Sequence, residues 1–136
     1  MQAIILSAGR GSRLLPLTTD LPKCLLPVGL SSVLALQIDT LLNRGIEQIT
    51  IVTGFNSHLV EEEVLSLRYG EKVRTLYNPF YQVADNLASC WMARQEMNND
   101  FLLINGDTLF SLELLKKVLA APPKNISVTI DQKEHY

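Results

Sequence analysis

An α/β fold, three layers with helices on both faces of a mainly parallel sheet, follows from two features of the sequence. Short apolar runs that stop at glycine or asparagine alternate with stretches whose apolar residues recur at helical spacing. Each strand-like run is followed by a helix-like one, the rhythm of a parallel sheet with crossover helices.

The elements follow in order. Ala3-Ile4-Ile5-Leu6 reads as a buried strand running into a glycine loop. Ser31 to Arg44 carries Leu34, Ile38, Leu41 and Leu42 on one helical face, with Ser31 or Ser32 as N-cap and Gly45 just past the end. Residues 48–53 are rich in β-branched side chains and stop at Gly54, which predicts a second strand. Ser57 is expected to cap a helix that turns Val60, Val64 and Leu67 inward and is closed by Gly70. His58 and the run Glu61-Glu62-Glu63 read as its solvated start. Val73 to Tyr77 is a third strand, residues 78–85 a loop, and Asn86 caps a helix through Met97. Phe101-Leu102-Leu103-Ile104 has the most buried character of the strands. Ser111 to Ala121 is a helix stopped by Pro122-Pro123, and a further strand is expected over Ile126 to Ile130. Residues 1–136 are expected to form one domain, the N-terminal part of a larger one that continues beyond 136.

Composition excludes several classes. The 136 residues carry 12 Lys+Arg against 14 Asp+Glu, a net charge of −2, which argues against nucleic-acid binding. Two cysteines, Cys24 and Cys90, are too few for a disulfide framework, and two histidines argue against a histidine metal centre. Neither a signal peptide nor a membrane-spanning run is visible, so the expected setting is the cytoplasm, with both thiols reduced. Oligomerisation is left open.

The strongest chemical signal is Leu6-Ser7-Ala8-Gly9-Arg10-Gly11-Ser12-Arg13, directly after the first strand. Gly9 and Gly11 let backbone N–H groups turn toward an anion, and Arg13 adds a forked cation for phosphate oxygens. The spacing is not that of the dinucleotide fingerprint, because Leu14 stands where a third glycine belongs, and no P-loop is present. On the glycine pair alone, an ordinary tight turn explains the loop as well. Lys23 lies between Pro22 and Pro27 in a proline-braced segment, which would bring a second cation to the same ligand. The alternative is a solvated surface lysine.

Residues 3–28 resemble the signature of the sugar-phosphate-type nucleotidyltransferases. The resemblance rests on Ala8, Gly9, Gly11, Arg13, Leu14, Pro16, Leu17, Thr18, Pro22, Lys23, Leu25, Pro27 and Val28, with Ser7 as a departure. It implies a Rossmann-like fold and a reaction in which an acceptor phosphate oxygen attacks the α-phosphorus of a nucleoside triphosphate and pyrophosphate leaves. It further implies that Ala8, Gly9, Gly11 and Ser12 wrap the nucleotide, that Arg13 offsets charge on the leaving pyrophosphate, and that Lys23 holds the α- or acceptor phosphate. Asp107, after Asn105-Gly106 at the end of a strand, matches the aspartate with which the family binds Mg2+; as sequence alone it also reads as a turn or helix cap.

Residues 78–91 narrow the resemblance. Asn78-Pro79-Phe80-Tyr81, with Asn86 and Ser89, is similar to a run of the bacterial cytidylyltransferases that use CTP with phosphocholine or related aminophosphates and phosphonates. Asn86 and Ser89, three apart on one helical face, are candidates for base or ribose contacts, or for a cap and a buried hydroxyl. Tyr81, Phe80 and Trp91 are candidates for an aromatic cage around a quaternary ammonium, with Asp85 as counter-charge. Core packing is the alternative for the aromatics. Asp131 and Lys133 are further candidates for acceptor contacts. Two rivals remain at this level: a hexose-1-phosphate nucleotidyltransferase using UTP, dTTP or GTP, and a nucleotide-binding regulatory domain without catalysis.

Overall fold

A computed structural model describes residues 1–9, 20–83, 86–122, 124 and 126–129. Its centre is a four-stranded, wholly parallel sheet in the order β5-β4-β1-β6. The strands are β1 (Gln2–Ser7), β4 (Gln48–Thr53), β5 (Val73–Tyr77) and β6 (Phe101–Asn105). The helices are α1 (Val33–Asn43), α2 (Ser57–Leu67), α3 (Asn86–Met92) and α4 (Leu112–Ala120). A small antiparallel pair, β2 (Pro27–Val28) with β3 (Ser31–Ser32), precedes α1.

The alternation of side chains along β1 builds two cores. Ala3 and Ile5 join Ile49, Ile51, Leu34, Ile38, Leu41, Val60 and Leu115, so α1, α2 and α4 cover one face. Ile4 and Leu6 join Val52 and Ala93, with Leu76, Cys90 and Met97 packed against them, so α3 and the turn after it cover the other. A central parallel strand is buried on both sides, which is why its sequence is an unbroken apolar run. Burying a side chain the size of Ile4 or Ile5, both fully enclosed, contributes roughly 1.5–3 kcal/mol.

Local signals read in the sequence hold at most boundaries. Ser32 caps α1, its Oγ accepting from the Ala35 N–H at 3.1 Å, and Gly45 follows with φ +83°. Ser111 caps α4, its Oγ accepting from Leu114 N–H at 3.0 Å.

Several expectations are corrected. Asn56, not Ser57, occupies the cap of α2, with φ 47° and no side-chain cap bond; its Nδ2 instead donates to the Asp20 carbonyl at 2.8 Å. Arg68 takes the left-handed position that closes α2, and Gly70 begins a separate 3-10 turn over Gly70–Lys72. Glu63 lies beyond the first turn of α2 and accepts from Ser32 Oγ at 3.2 Å, so it is a packing partner as well as a solvated acid. The helix from Asn86 ends at Met92 rather than Met97, with a 3-10 turn over Arg94–Glu96 after it. β6 is not the most buried strand. It forms the sheet edge among the described residues, and Leu103 is 48% exposed. Residues 126–129 form no strand, and Ile126 and Val128 are exposed; Ile130 lies outside the described residues. Ile126 and Val128 pair with no strand among the described residues, so the apolar alternation alone does not make one. No helix among the described residues is long and apolar enough to cross a membrane.

Candidate active site

The chain runs from β1 outward to β4 and β5, then returns past β1 to place β6 on its other side. The carboxyl ends of β1 and β6 therefore flank the point where the winding reverses, the usual crevice for ligands in an open α/β sheet. A cleft of ≈ 170 Å³ lies there, lined by Ser7 and Gly9 after β1, Asn105, Gly106 and Asp107 after β6, Lys23 and Cys24 from the 3-10 turn Lys23–Leu25, and Asn86 at the start of α3.

Lys23 Nζ donates to Asp107 Oδ2 at 3.0 Å, across 84 residues of sequence. The lysine is thus no free surface cation. Asp107 is also no helix cap, because Ser111 caps the helix that follows. Asn86 Nδ2 donates to Asn105 Oδ1 at 3.3 Å, joining the start of α3 to the end of β6. Gly106 N–H donates to the Leu6 carbonyl at 2.8 Å. This bond draws the turn so tightly over β1 that a Cβ at Gly106 would lie 2.3 Å from Ser7 Oγ and 2.7 Å from the Leu6 carbonyl oxygen. On the β4 side, Phe55 N–H donates to the Ala8 carbonyl at 3.0 Å. A Cβ at Gly54 would lie 2.6 Å from that same oxygen and 2.5 Å from Tyr81 Cβ.

Two groups in the cleft have perturbed protonation. Partial burial raises the Asp107 carboxyl, but the hydrogen bond and charge of Lys23, with smaller contributions from its own backbone N–H and the Thr108 hydroxyl, outweigh this and hold it below its ordinary 3.8. A carboxyl depressed on folding stabilises the protein above its unfolded pKa and loses that contribution as pH falls through the folded value. Both side chains are about a third or more exposed, so the contribution is under about 1 kcal/mol. The stability difference between wild type and Asp107→Asn should be small at neutral pH and vanish below the carboxylate range; urea titrations at several pH values check this. Burial pushes the Cys24 thiol up to about 11, and the nearby Ser7 hydroxyl and Lys23 charge offset this only in part. In native protein at pH 8, Cys24 should resist iodoacetamide and become reactive on unfolding, which mass spectrometry of the labelled peptide checks.

Of the residues singled out in the sequence, the fold brings Gly9, Lys23, Asn86 and Asp107 to one cleft, with Ala8 buried beside it. Gly11, Ser12, Arg13 and Asp85 lie outside the described residues, as do Asp131 and Lys133. Ser89 is 2% exposed and accepts from Asn78 Nδ2 at 3.1 Å, while Asn78 Oδ1 accepts from Phe80 N–H at 2.9 Å. Its hydroxyl therefore braces the 78–80 turn and does not line the cleft. Tyr81 packs in the core on the α3 face of the sheet, against Gly54. Trp91 is exposed on α3, with the Arg94 guanidinium 4.2 Å from its ring centroid. These two aromatics form no common cage. The sequence reading missed Asn105 as a cleft residue and missed the β2–β3 hairpin, although the Gly29-Leu30 pair between the two strands is a hairpin signal.

The oxygen donors of Asp107 and Asn105 suit a hard divalent cation that keeps water and takes phosphate oxygens. Among the described residues no group of three His, Cys, Asp or Glu could hold a metal by itself.

The fold is an open parallel α/β sheet with a charged cleft at its winding reversal, and the chain belongs to the nucleotidyl transferase family, whose pattern it matches over residues 2–135. It is 35% identical over 111 residues to choline-phosphate cytidylyltransferase of Streptococcus pneumoniae, covering 81% of this chain and 46% of that protein. It is 32% identical over 122 residues to CMP-5'-(3-aminopropyl)phosphonate synthase of Streptomyces rubellomurinus, covering 90% of this chain and 19% of that protein. UTP–glucose-1-phosphate uridylyltransferase of Haloferax volcanii is 30% identical over 117 residues, 84% of this chain and 46% of that protein. The solved structure of the Streptococcus pneumoniae CTP:phosphocholine cytidylyltransferase superposes with a TM-score of 0.67 at 34% identity, covering 78% of this chain and 44% of that one. The chain thus spans less than half the length of each of these relatives.

Proposed function

We propose that the protein transfers CMP from CTP to a small phosphate or phosphonate acceptor such as phosphocholine. An acceptor oxygen forms a bond to the α-phosphorus, the bond from the α-phosphorus to the bridging oxygen breaks, and pyrophosphate leaves with that oxygen's electron pair. The observation that carries this reading is the Lys23–Asp107 pair, 3.0 Å apart in the cleft at the carboxyl ends of β1 and β6 that Gly9 also lines. The 78–91 run and the names of the two cytidylyl relatives support CTP over other triphosphates.

The residues divide the work of positioning and charge balance, which dominates phosphoryl chemistry. Main-chain N–H groups of the glycine loop receive the triphosphate, and Asn86, which lines the same cleft, supplies an amide for base or ribose. Lys23 has three N–H donors, so it can keep Asp107 and still bond a phosphate oxygen. Arg13 offsets charge on the departing pyrophosphate. Asp107, with the Asn105 amide oxygen beside it, would hold Mg2+, whose chemistry is to neutralise and orient the phosphate oxygens.

A second reading, a uridylyl transfer to glucose 1-phosphate, is favoured by the Haloferax volcanii relative. The whole protein with Mg2+ should be assayed for pyrophosphate release with CTP, UTP, dTTP or GTP, each with phosphocholine or glucose 1-phosphate. CTP with phosphocholine is expected to exceed every other pair by at least about tenfold in kcat/KM. Turnover with UTP and glucose 1-phosphate would replace the cytidylyl reading, and nucleotide binding with no release in any combination would reduce the protein to a binding domain.

A further inference from the structure

Gln37 is 1% exposed, in the middle of α1 among Leu34, Ile38 and Leu41. A primary amide in such a place is costly unless bonded. Its Nε2 donates to the Asn105 carbonyl at 3.0 Å and to the Thr108 carbonyl at 2.6 Å. These two carbonyls stand at either end of Asn105-Gly106-Asp107-Thr108. Its Oε1 meets no donor. Leucine or methionine would fill the volume without burying an unpaired acceptor, so core packing does not explain an amide here. Two carbonyl acceptors also leave only one orientation of the amide possible, with nitrogen toward the turn.

We infer that Gln37 is a positioning residue for Asp107. One side chain, held rigid by the α1 core, clasps both ends of the turn that carries the carboxylate and thereby fixes it against Lys23. The turn closes a second way, through Gly106 N–H to Leu6 O and Thr108 N–H to Asn105 O at 3.2 Å. Those bonds set its path over β1. The Gln37 clasp determines how far the Asp107 end can lift away from the helix layer. Its value for catalysis rests on the proposed cation-binding role of Asp107, since misplacing a metal ligand by a fraction of an ångström is costly when its supports are few.

The test uses Gln37→Met in the whole protein, with Gln37→Leu as a second variant should methionine fail to fold. Amide hydrogen exchange reads the turn directly. Exchange at Gly106 and Thr108 should quicken about tenfold or more while β1 and β4 amides stay protected. Mn2+ affinity in the presence of CTP, read by electron paramagnetic resonance, should weaken about tenfold, with metal-free CTP affinity unchanged. In an Asp107→Asn background the same Gln37 substitution should change Mn2+ affinity no further. Unaltered exchange in the turn, or loosening shared equally by β1 and β4, overturns the inference. A loosened turn in a protein whose wild type binds no Mn2+ with CTP upholds the clasp and instead overturns the proposed role of Asp107.

Discussion

Replacing Asp107 with asparagine is expected to leave the fold intact and to cut pyrophosphate release by on the order of 10²–10³-fold, the scale of losing one preorganised charge-stabilising group. Asparagine keeps the size of the side chain and an oxygen for the Lys23 ammonium, which now sits 3.0 Å from Oδ2. The folded state loses only a half-exposed ion pair, so thermal stability should move little. Activity behaves differently, because the charge removed is the one that would hold the cation at the phosphates. If the reading is correct, raising the Mg2+ concentration recovers part of the loss and raising the acceptor concentration recovers none. Steady-state kinetics of the whole protein decides this, and an Asp107→Asn enzyme within about threefold of wild type would remove Asp107 from the chemistry.

The second large effect is expected from Gly106→Ala. Ser7 Oγ can rotate away from a new Cβ at 2.3 Å, but the Leu6 carbonyl oxygen at 2.7 Å is backbone inside the β1 ladder and cannot yield alone. Either the turn lifts off β1, breaking the Gly106 N–H bond to Leu6 O, or the strand end shifts. We expect about 2–3 kcal/mol of lost stability in urea titration, the cost of overpacking, with a further loss of activity because Asp107 rides on the same turn. Gly9→Ala is the control. A Cβ there meets no described residue within 4 Å, so its stability should stay within about 0.5 kcal/mol of wild type.

The legible part of the fold was the part whose pattern is dictated by burial. The β1 run Ile4-Ile5-Leu6 and the 48–53 run announce strands because both faces are covered. Ser32 and Ser111 announce helix starts because a hydroxyl satisfies an otherwise orphaned N–H. What failed had tertiary causes. Asn56 holds the cap of α2 in a left-handed conformation because its amide serves the Asp20 carbonyl, a contact 36 residues away that no local window contains. Phe101 to Ile104 has the composition of an interior strand but occupies an edge among the described residues, and composition does not encode strand order. In the site, Lys23 and Asp107, both singled out through the signature resemblance, lie 3.0 Å apart. The resemblance attached no significance to Gln37 or Asn105, because their roles arise from which carbonyls and amides the sheet brings within reach. Ser89 was legible as a choice between two uses, and its bond to Asn78 satisfies the structural one.

The position of β1 also has a bearing on how the chain assembles on the ribosome. The strand in the middle of the described sheet is translated about a hundred residues before its β6 neighbour, with which it pairs as Gln2 with Phe101 and Leu6 with Asn105. Until then an almost wholly apolar segment has one unsatisfied border. Slow nucleation and a window of vulnerability to aggregation are built into that topology, so recovery of native protein from denaturant should depend strongly on dilution and benefit from holdase chaperones.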